Sequence, residues 1–344
     1  MYYVSVKRRG FPKGAHLLVA PLWPVLLVLF LQEQEKYSKP LLVIFAGNNM
    51  KKKIYALGFF DGVHLGHQKL LSRCRQLATE YDCGTAAITF DRHPKSLFLE
   101  KPTVLISTVP DRKLLLHRYG MEEVLVLPVT KEVMSMPWQD FVQMLLDRGA
   151  AGFVCGDDFR FGRRGEGNAE TLSRFCREQG LPCSIIPEQT VEDIRISSTY
   201  IRRQIETGDM ATAVKFMGHP YTLTGTVVRG QQLGRTLGIP TANLRLPAGL
   251  AVPKFGVYAC CVIADGRRYA AVTNIGTRPT VAGEGITVEP WILDYSGDLY
   301  GREIALECYR FLRSEQKFPS LEALQAEIRR NAEETREHVQ NYLI

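Results

Sequence analysis

Two histidines with a glycine between them, set directly after an apolar run, are the first residues whose types and spacing suggest chemistry. Gly58 to Leu71 reads GFFDGVHLGHQKLL, which places His64, Gly66 and His67 where a strand would turn into a helix. A helix N-terminus offers unpaired amides and a positive dipole end to phosphate. Imidazoles in its first turn can add hydrogen bonds to phosphate oxygens, and Gly66 removes a side chain that would keep a nucleotide away. A lone histidine here would ordinarily cap or pack. The pair, in this strand-turn-helix context, favours a phosphate cradle.

A second group lies in GQQLGRTLGIPTANL, from Gly230 to Leu244. Glycine-flanked loops alone are weak evidence, since they also form ordinary turns. Thr241 and Asn243 are more telling: two positions apart on an extended segment, they face the same side, and their oxygens suit magnesium and phosphate. Further on, Glu289 stands in ITVEPWILDY. A strand glutamate is ordinarily a solvated surface residue. Pro290 beside it cannot donate to a sheet ladder, so a central strand here would shift its neighbour slightly.

The elements needed to position these residues can be read from periodicity. From Lys53 to about Glu188, apolar segments such as KIYALGFF, TAAITFD and VLVLPV alternate with helical spacing in HLGHQKLLSRCRQLATEY and PWQDFVQMLLDRG. Alternating β and α predicts a doubly wound parallel sheet, whose ligands sit beyond the carboxyl ends of the strands. After Pro220 short β-branched segments separated by turns predict an antiparallel barrel or sandwich. SLEALQAEIRRNAEETREHVQNYL closes the chain as a helix with Ser320 at its N-cap. The boundary is expected at the glycine and proline that end GDMATAVKFMGHP, giving an extension over 1–49 and domains over 50–218 and 219–344.

The formal charge of +7 belongs to the first 53 residues, which hold nine basic against two acidic side chains; the remainder balances at 34 against 34. A broad electrostatic footprint for nucleic acid is therefore absent from the body of the chain. Eight cysteines show no CxxC pair and no disulfide framework, and read as reduced thiols of a cytoplasmic protein. The extension carries KRRGFPKG ahead of AHLLVAPLWPVLLVLFL, which imitates an anchor. The run is at the short limit for a span of about 20 residues, and Pro21 and Pro24 would break it. No membrane role is expected, and activity is expected to survive expression from Met50.

The motifs together resemble the bacterial bifunctional riboflavin kinase/FAD synthetases. FDGVHLGH is similar to the signature of that family's nucleotidylyltransferase half, ISSTYIRR at Ile196 to Arg203 to its ISSTxIR element, and GDDFRFG at Gly156 to Gly162 to its GxDFRFG loop. The PTAN block resembles the riboflavin kinase signature, with PKFGVYA, NIGTRPT and VEPWILDYSGDLYG continuing the likeness. The chain differs from the usual pattern at Arg92, in FDRHP, and at Tyr200.

This resemblance implies a Rossmann-like nucleotidylyltransferase domain followed by an antiparallel β-barrel riboflavin kinase domain with a C-terminal helix. It implies catalytic roles for His64, His67, Arg202 and Glu289, the last as the base toward the riboflavin 5′-hydroxyl. Gly58, Phe60, Asp61, Gly66, Ser198, Thr199, Gly234, Arg235, Thr241 and Asn243 would contact ATP or its phosphates. Asp158, Asn274 and Arg278 would contact flavin, and Thr241 and Asn243 would hold Mg²⁺ or another divalent cation. Substrates would be ATP, riboflavin and FMN, with no nucleic-acid partner, in a monomer or weak homo-oligomer. Alternatives are a chain with only the kinase activity, a nucleotidylyltransferase for another phosphate ester, a flavin- or ATP-binding protein, and an RNA-binding module. The isoalloxazine ring itself is implied by the resemblance alone.

Overall fold

The computed structural model describes residues 51–97, 103–230, 238–280 and 283–343, together with three short strands near the start. Those strands, Tyr2–Tyr3, His16–Val19 and Val28–Phe30, pair antiparallel within a unit that ends at Lys52. The expectation for 1–49 otherwise lies outside the described residues. Residues 53–344 form the second compact unit.

In that unit β1 (Lys53–Leu57), β2 (Gly84–Phe90), β3 (Glu123–Leu127), β4 (Ala150–Gly156) and β5 (Cys183–Ile186) build a five-stranded sheet in the order β5-β4-β1-β2-β3. Every pairing is parallel. Alternation along the strands explains the double winding. Ile54, Ala56 and Val154 pack against Leu71, Cys74 and Leu77 of α1 (Leu65–Glu80), while Tyr55, Leu57 and Phe153 pack against Val142 and Leu145 of α3 (Trp138–Leu146) and Leu172 of α4 (Ala169–Glu178) on the opposite face. Helix α2 (Val109–Arg118) joins the α1 side through Leu116. The strand order reverses between β1 and β4, so the crevice of the fold opens at their carboxyl ends.

Helices α5 (Ser198–Thr207) and α6 (Met210–Met217) lead into β6 (Tyr221–Val228). With β7 (Asn243–Arg245), β8 (Gly256–Ala264), β9 (Arg267–Thr280), β10 (Gly283–Ile292) and β11 (Glu303–Arg313) it closes a six-stranded barrel ordered β6-β7-β10-β9-β8-β11. Closure removes the exposed edges that an open sheet would leave. Inward residues such as Leu223, Tyr258, Ile275 and Leu306 share one core with Ile201, Ile205, Phe216 and Met217, so α5 and α6 close one end of the barrel. Outward residues Val257, Val272 and Tyr309 pack under α7 (Leu321–Val339), whose N-cap is Ser320, as expected. The two domains also meet backbone to backbone: Leu105 donates to Gly249 and accepts from Ala251, both at 2.7 Å.

Two candidate active sites

The turn after β1 takes a left-handed backbone at Phe60, Gly62 and Val63, with φ of 58°, 73° and 36°. For Phe60 and Val63 that conformation is strained and must be held by its surroundings. Both side chains are fully buried, and five consecutive carbonyls have donors. Phe59 accepts from Thr89 Oγ1 and Arg112 Nη1, and Phe60 from the Val63 amide. Asp61 accepts from Ser198 Oγ at 3.0 Å, Gly62 lies 2.9 Å from His219 Nε2, and Val63 accepts from Gln68 Nε2 at 2.9 Å. Ser198 and His219 reach the turn from 137 and 157 residues away.

His64 caps α1, its Nδ1 accepting from the His67 amide at 3.4 Å. The two imidazoles stack with centroids 3.6 Å apart, and the Phe60 ring meets His67 edge-on. A Cβ at position 66 would lie 3.3 Å from His64 Nδ1, which accounts for Gly66. Burial pushes His64 down to about 4 and His67 well below its ordinary value, the neighbouring histidine charge acting in the same direction on His67. Both are therefore neutral at physiological pH, each with one N–H to donate and a lone pair to accept a proton.

They open on a cleft of about 430 Å³ at the carboxyl ends of β1 and β4. Gly58, Gly66, Asp158 and Ser198 line it with the histidines. The α5 N-terminus, capped by Ser197, faces this space as well, so two helix starts converge there. Asp158 pairs with Arg195 at 3.0 Å. Phe60, Asp61, Thr199 and Arg202 are not among the lining residues. Asp61 is 1% exposed and accepts from the amides of Ile106 and Ser107 and from Arg202 Nη2 at 3.1 Å. Thr199 is exposed. The departures at Arg92 and Tyr200 also leave the cleft untouched: Arg92 pairs with Asp91, and Tyr200 packs on Phe216 with centroids 4.8 Å apart.

In the barrel, Glu289 and Asn274 are directly opposed on β10 and β9. Because inward Ile275 and Val288 alternate with them, both point outward, beneath α7. With Thr241 they line a cavity of about 260 Å³ whose walls include Val272, Trp291 and Ile328. Asn274 Nδ2 donates to Glu315 Oε1 at 3.3 Å. Thr241 also lines a neighbouring cavity of about 530 Å³ with Tyr295, Asp298 and Tyr300. Asn243 lines neither, and its amide lies against Gly230, where a Cβ would approach within 2.5 Å. The register of β10 runs unbroken through Pro290, which is paired with Thr273. The Pro290 carbonyl accepts from the Ala242 amide at 2.9 Å, so its missing donor faces the side where β7 has only begun, and little is lost. Gly234 and Arg235 lie outside the described residues, as does the side chain of Arg278, whose backbone is opposite Gly285 in β9.

Sequence reasoning missed Arg112, Ser107 and His219, and also Phe59 and His93, whose rings meet edge-on in the cleft wall. Only their placement in three dimensions singles them out; PDRKLLLHR reads as an ordinary amphipathic helix, in which an arginine would face solvent.

A Rossmann-type nucleotidylyltransferase domain joined to a closed antiparallel barrel defines a two-site transferase. Two families match the chain in that order: one described as FAD synthetase over residues 47–200, and one described as Riboflavin kinase over residues 217–339. The bifunctional riboflavin kinase/FMN adenylyltransferase of Listeria monocytogenes is 34% identical over 83% of this chain and 91% of its own. That of Bacillus subtilis is 33% identical over 84% and 93%, and that of Escherichia coli K12 34% over 83% and 92%. The chain belongs to the bifunctional riboflavin kinase/FMN adenylyltransferase family. A crystal structure described as a macrolide-efflux protein from Streptococcus pneumoniae is also similar, with 31% identity, a TM-score of 0.76, and coverage of 84% of this chain and 95% of that one. Among the described residues no helix is long and apolar enough to cross a membrane.

Proposed function

We infer that this protein makes both flavin cofactors in sequence: it phosphorylates riboflavin to FMN and then transfers an adenylyl group from ATP to FMN. The observation that carries the reading is the pairing of two separate constellations in one chain, stacked neutral histidines at a nucleotide crevice and a glutamate opposed to an asparagine in a partly apolar cavity.

In the first step Glu289 accepts the proton of the riboflavin 5′-hydroxyl as that oxygen attacks the γ-phosphorus of ATP, and ADP leaves. The cavity under α7 suits the flavin, with Trp291 and Val272 against its ring and Asn274 at its polar edge; we assign Arg278 to flavin contact as well. The cavity beside Tyr295 and Tyr300 suits the nucleotide, and Thr241 stands between the two. A divalent cation fits here, because Thr241 and Asn243 supply hard oxygens and Gly230 leaves the Asn243 amide its space. When bound it supplies charge neutralisation at the transferred phosphate. We assign Gly234 and Arg235 to ATP contact.

In the second step a phosphate oxygen of FMN attacks the α-phosphorus of the second ATP, and pyrophosphate leaves. Catalysis of this kind rests on positioning and charge stabilisation. His64 and His67 donate to the phosphates, joined by Ser198 and the α1 and α5 amides. Arg202, held by Asp61, and Asp158, beside the flavin, complete the site. We place the domain boundary at 218/219, and the protein in the cytoplasm, acting on small molecules as a monomer or weak homo-oligomer.

The test is to incubate the purified chain with riboflavin, ATP and magnesium and to follow the flavins by chromatography. FMN that rises and then gives way to FAD is the expected course. FMN without FAD would mean that the first domain serves another phosphate ester, and no flavin product would overturn the reading.

A further inference from the structure

Arg112 on α2 is the largest fully buried side chain of the protein's described residues, with no exposed surface at all. One nitrogen carries all of its hydrogen bonds: Nη1 donates to the Phe59 carbonyl at 3.1 Å, to Thr89 Oγ1 at 2.8 Å and to the Phe90 carbonyl at 3.2 Å. Nε and Nη2 are buried with no partner. The guanidinium also lies over the Phe59 ring, 4.4 Å from its centroid. Phe59, Phe90 and His93 line the cleft that holds His64 and His67, whereas Arg112 stands behind them.

A buried charge with bare donors destabilises the fold, and an unbranched apolar side chain of similar length would fill the space without that penalty. Packing therefore does not account for an arginine here. Its surroundings do. Phe59 and Phe90 are at or just beyond the carboxyl ends of β1 and β2, where carbonyl oxygens crowd toward the crevice in which a triphosphate would lie. We propose that Arg112 is a positioning residue for adenylyl transfer, pinning the Phe59–Phe90 wall of the cleft and setting a fixed positive charge behind it for the anionic substrates to meet. An arginine keeps its charge at any ordinary pH. The carboxylates facing it are Asp61 and Asp91, while His67 faces His64 from the turn and Arg112 from α2. Burial and the neighbouring His64 do most to keep His67 neutral, and the arginine's charge acts in the same direction while the pocket as a whole remains attractive to phosphate.

The proposal rests on the adenylyl-transfer reading, so the parent chain is assayed first with FMN and ATP; a parent that makes no FAD defeats that reading. Given a competent parent, R112M and R112K are compared in the full chain, with riboflavin phosphorylation in the same samples reporting the fold. R112M is expected to lower kcat for FAD formation roughly tenfold or more, to raise KM for ATP, and to spare the kinase. The acid limb of its kcat/KM profile should move to higher pH, because removing a nearby positive charge makes His67 easier to protonate. R112K keeps the charge but reaches fewer acceptors, so kcat should fall with the acid limb unmoved. Parent-like FAD formation in R112M overturns the proposal, as does a slowed R112M whose acid limb stays in place. If R112M loses the kinase as well, R112K decides: slower FAD formation with an intact kinase supports the role, and parent kinetics overturn it.

Discussion

Arg202 Nη2 lies 3.1 Å from Asp61 Oδ2, and the carboxylate that receives it is almost completely buried beneath the histidine turn. The same carboxylate accepts from the amides of Ile106 and Ser107, and Leu105 beside them is bridged to Leu250 of the barrel domain. One side chain therefore fixes the guanidinium, the turn and the domain contact together. Asp61→Asn would leave Arg202, whose side chain is 15% exposed, without its counter-charge. Breaking a buried pair from one side costs about 3 kcal/mol. Urea unfolding should show a loss of that size, and FAD formation should fall more than riboflavin phosphorylation.

The two steps should separate cleanly. Glu289→Gln removes the side chain we assign as base and should slow riboflavin phosphorylation by about 10²-fold or more, while FMN supplied from outside is still adenylylated. His67→Ala should let FMN accumulate and abolish FAD. Chromatographic time courses on the two variants, alone and mixed, check this: the mixture should restore the full sequence.

Stability should depend on pH through the histidines. The His64 imidazole, lowered from 6.5 to about 4 by burial, binds its proton more readily in the unfolded chain. Its contribution is intact above pH 6.5, erodes as the pH falls, and is lost once pH passes below about 4, a total of about 3 kcal/mol. His67 acts in the same direction. Denaturant midpoints measured from pH 7.5 to 4 should decline, and His64→Asn should flatten the decline while lowering FAD formation.

Gly230→Ala should impair only the kinase. The new Cβ would meet the Asn243 amide at 2.5 to 2.6 Å, and the short side chain must turn away from the position we assign to cation binding. Riboflavin phosphorylation should drop and require more magnesium for half-maximal rate, with FAD formation from added FMN unchanged. An unchanged magnesium dependence would remove Asn243 from the cation site.

Local signals carried the architecture. Alternating apolar periods marked the parallel sheet and its helices, short β-branched runs marked the barrel, and Ser320 marked the start of α7, because these features depend on neighbours along the chain. The motifs likewise marked His64, Gly66, His67, Thr241 and Glu289 as residues of interest, since each occurs beside the turn or strand that shapes it. What pairs across the chain was decided only by folding. The fold joins Asp61 to Arg202, sets Asn274 opposite Glu289, brings His219 to the carbonyl of Gly62, and buries Arg112, which its own helix would have left in solvent. Sequence periodicity reports which face of an element is apolar; it does not report which distant element covers that face, and the chemistry of both sites depends on that covering.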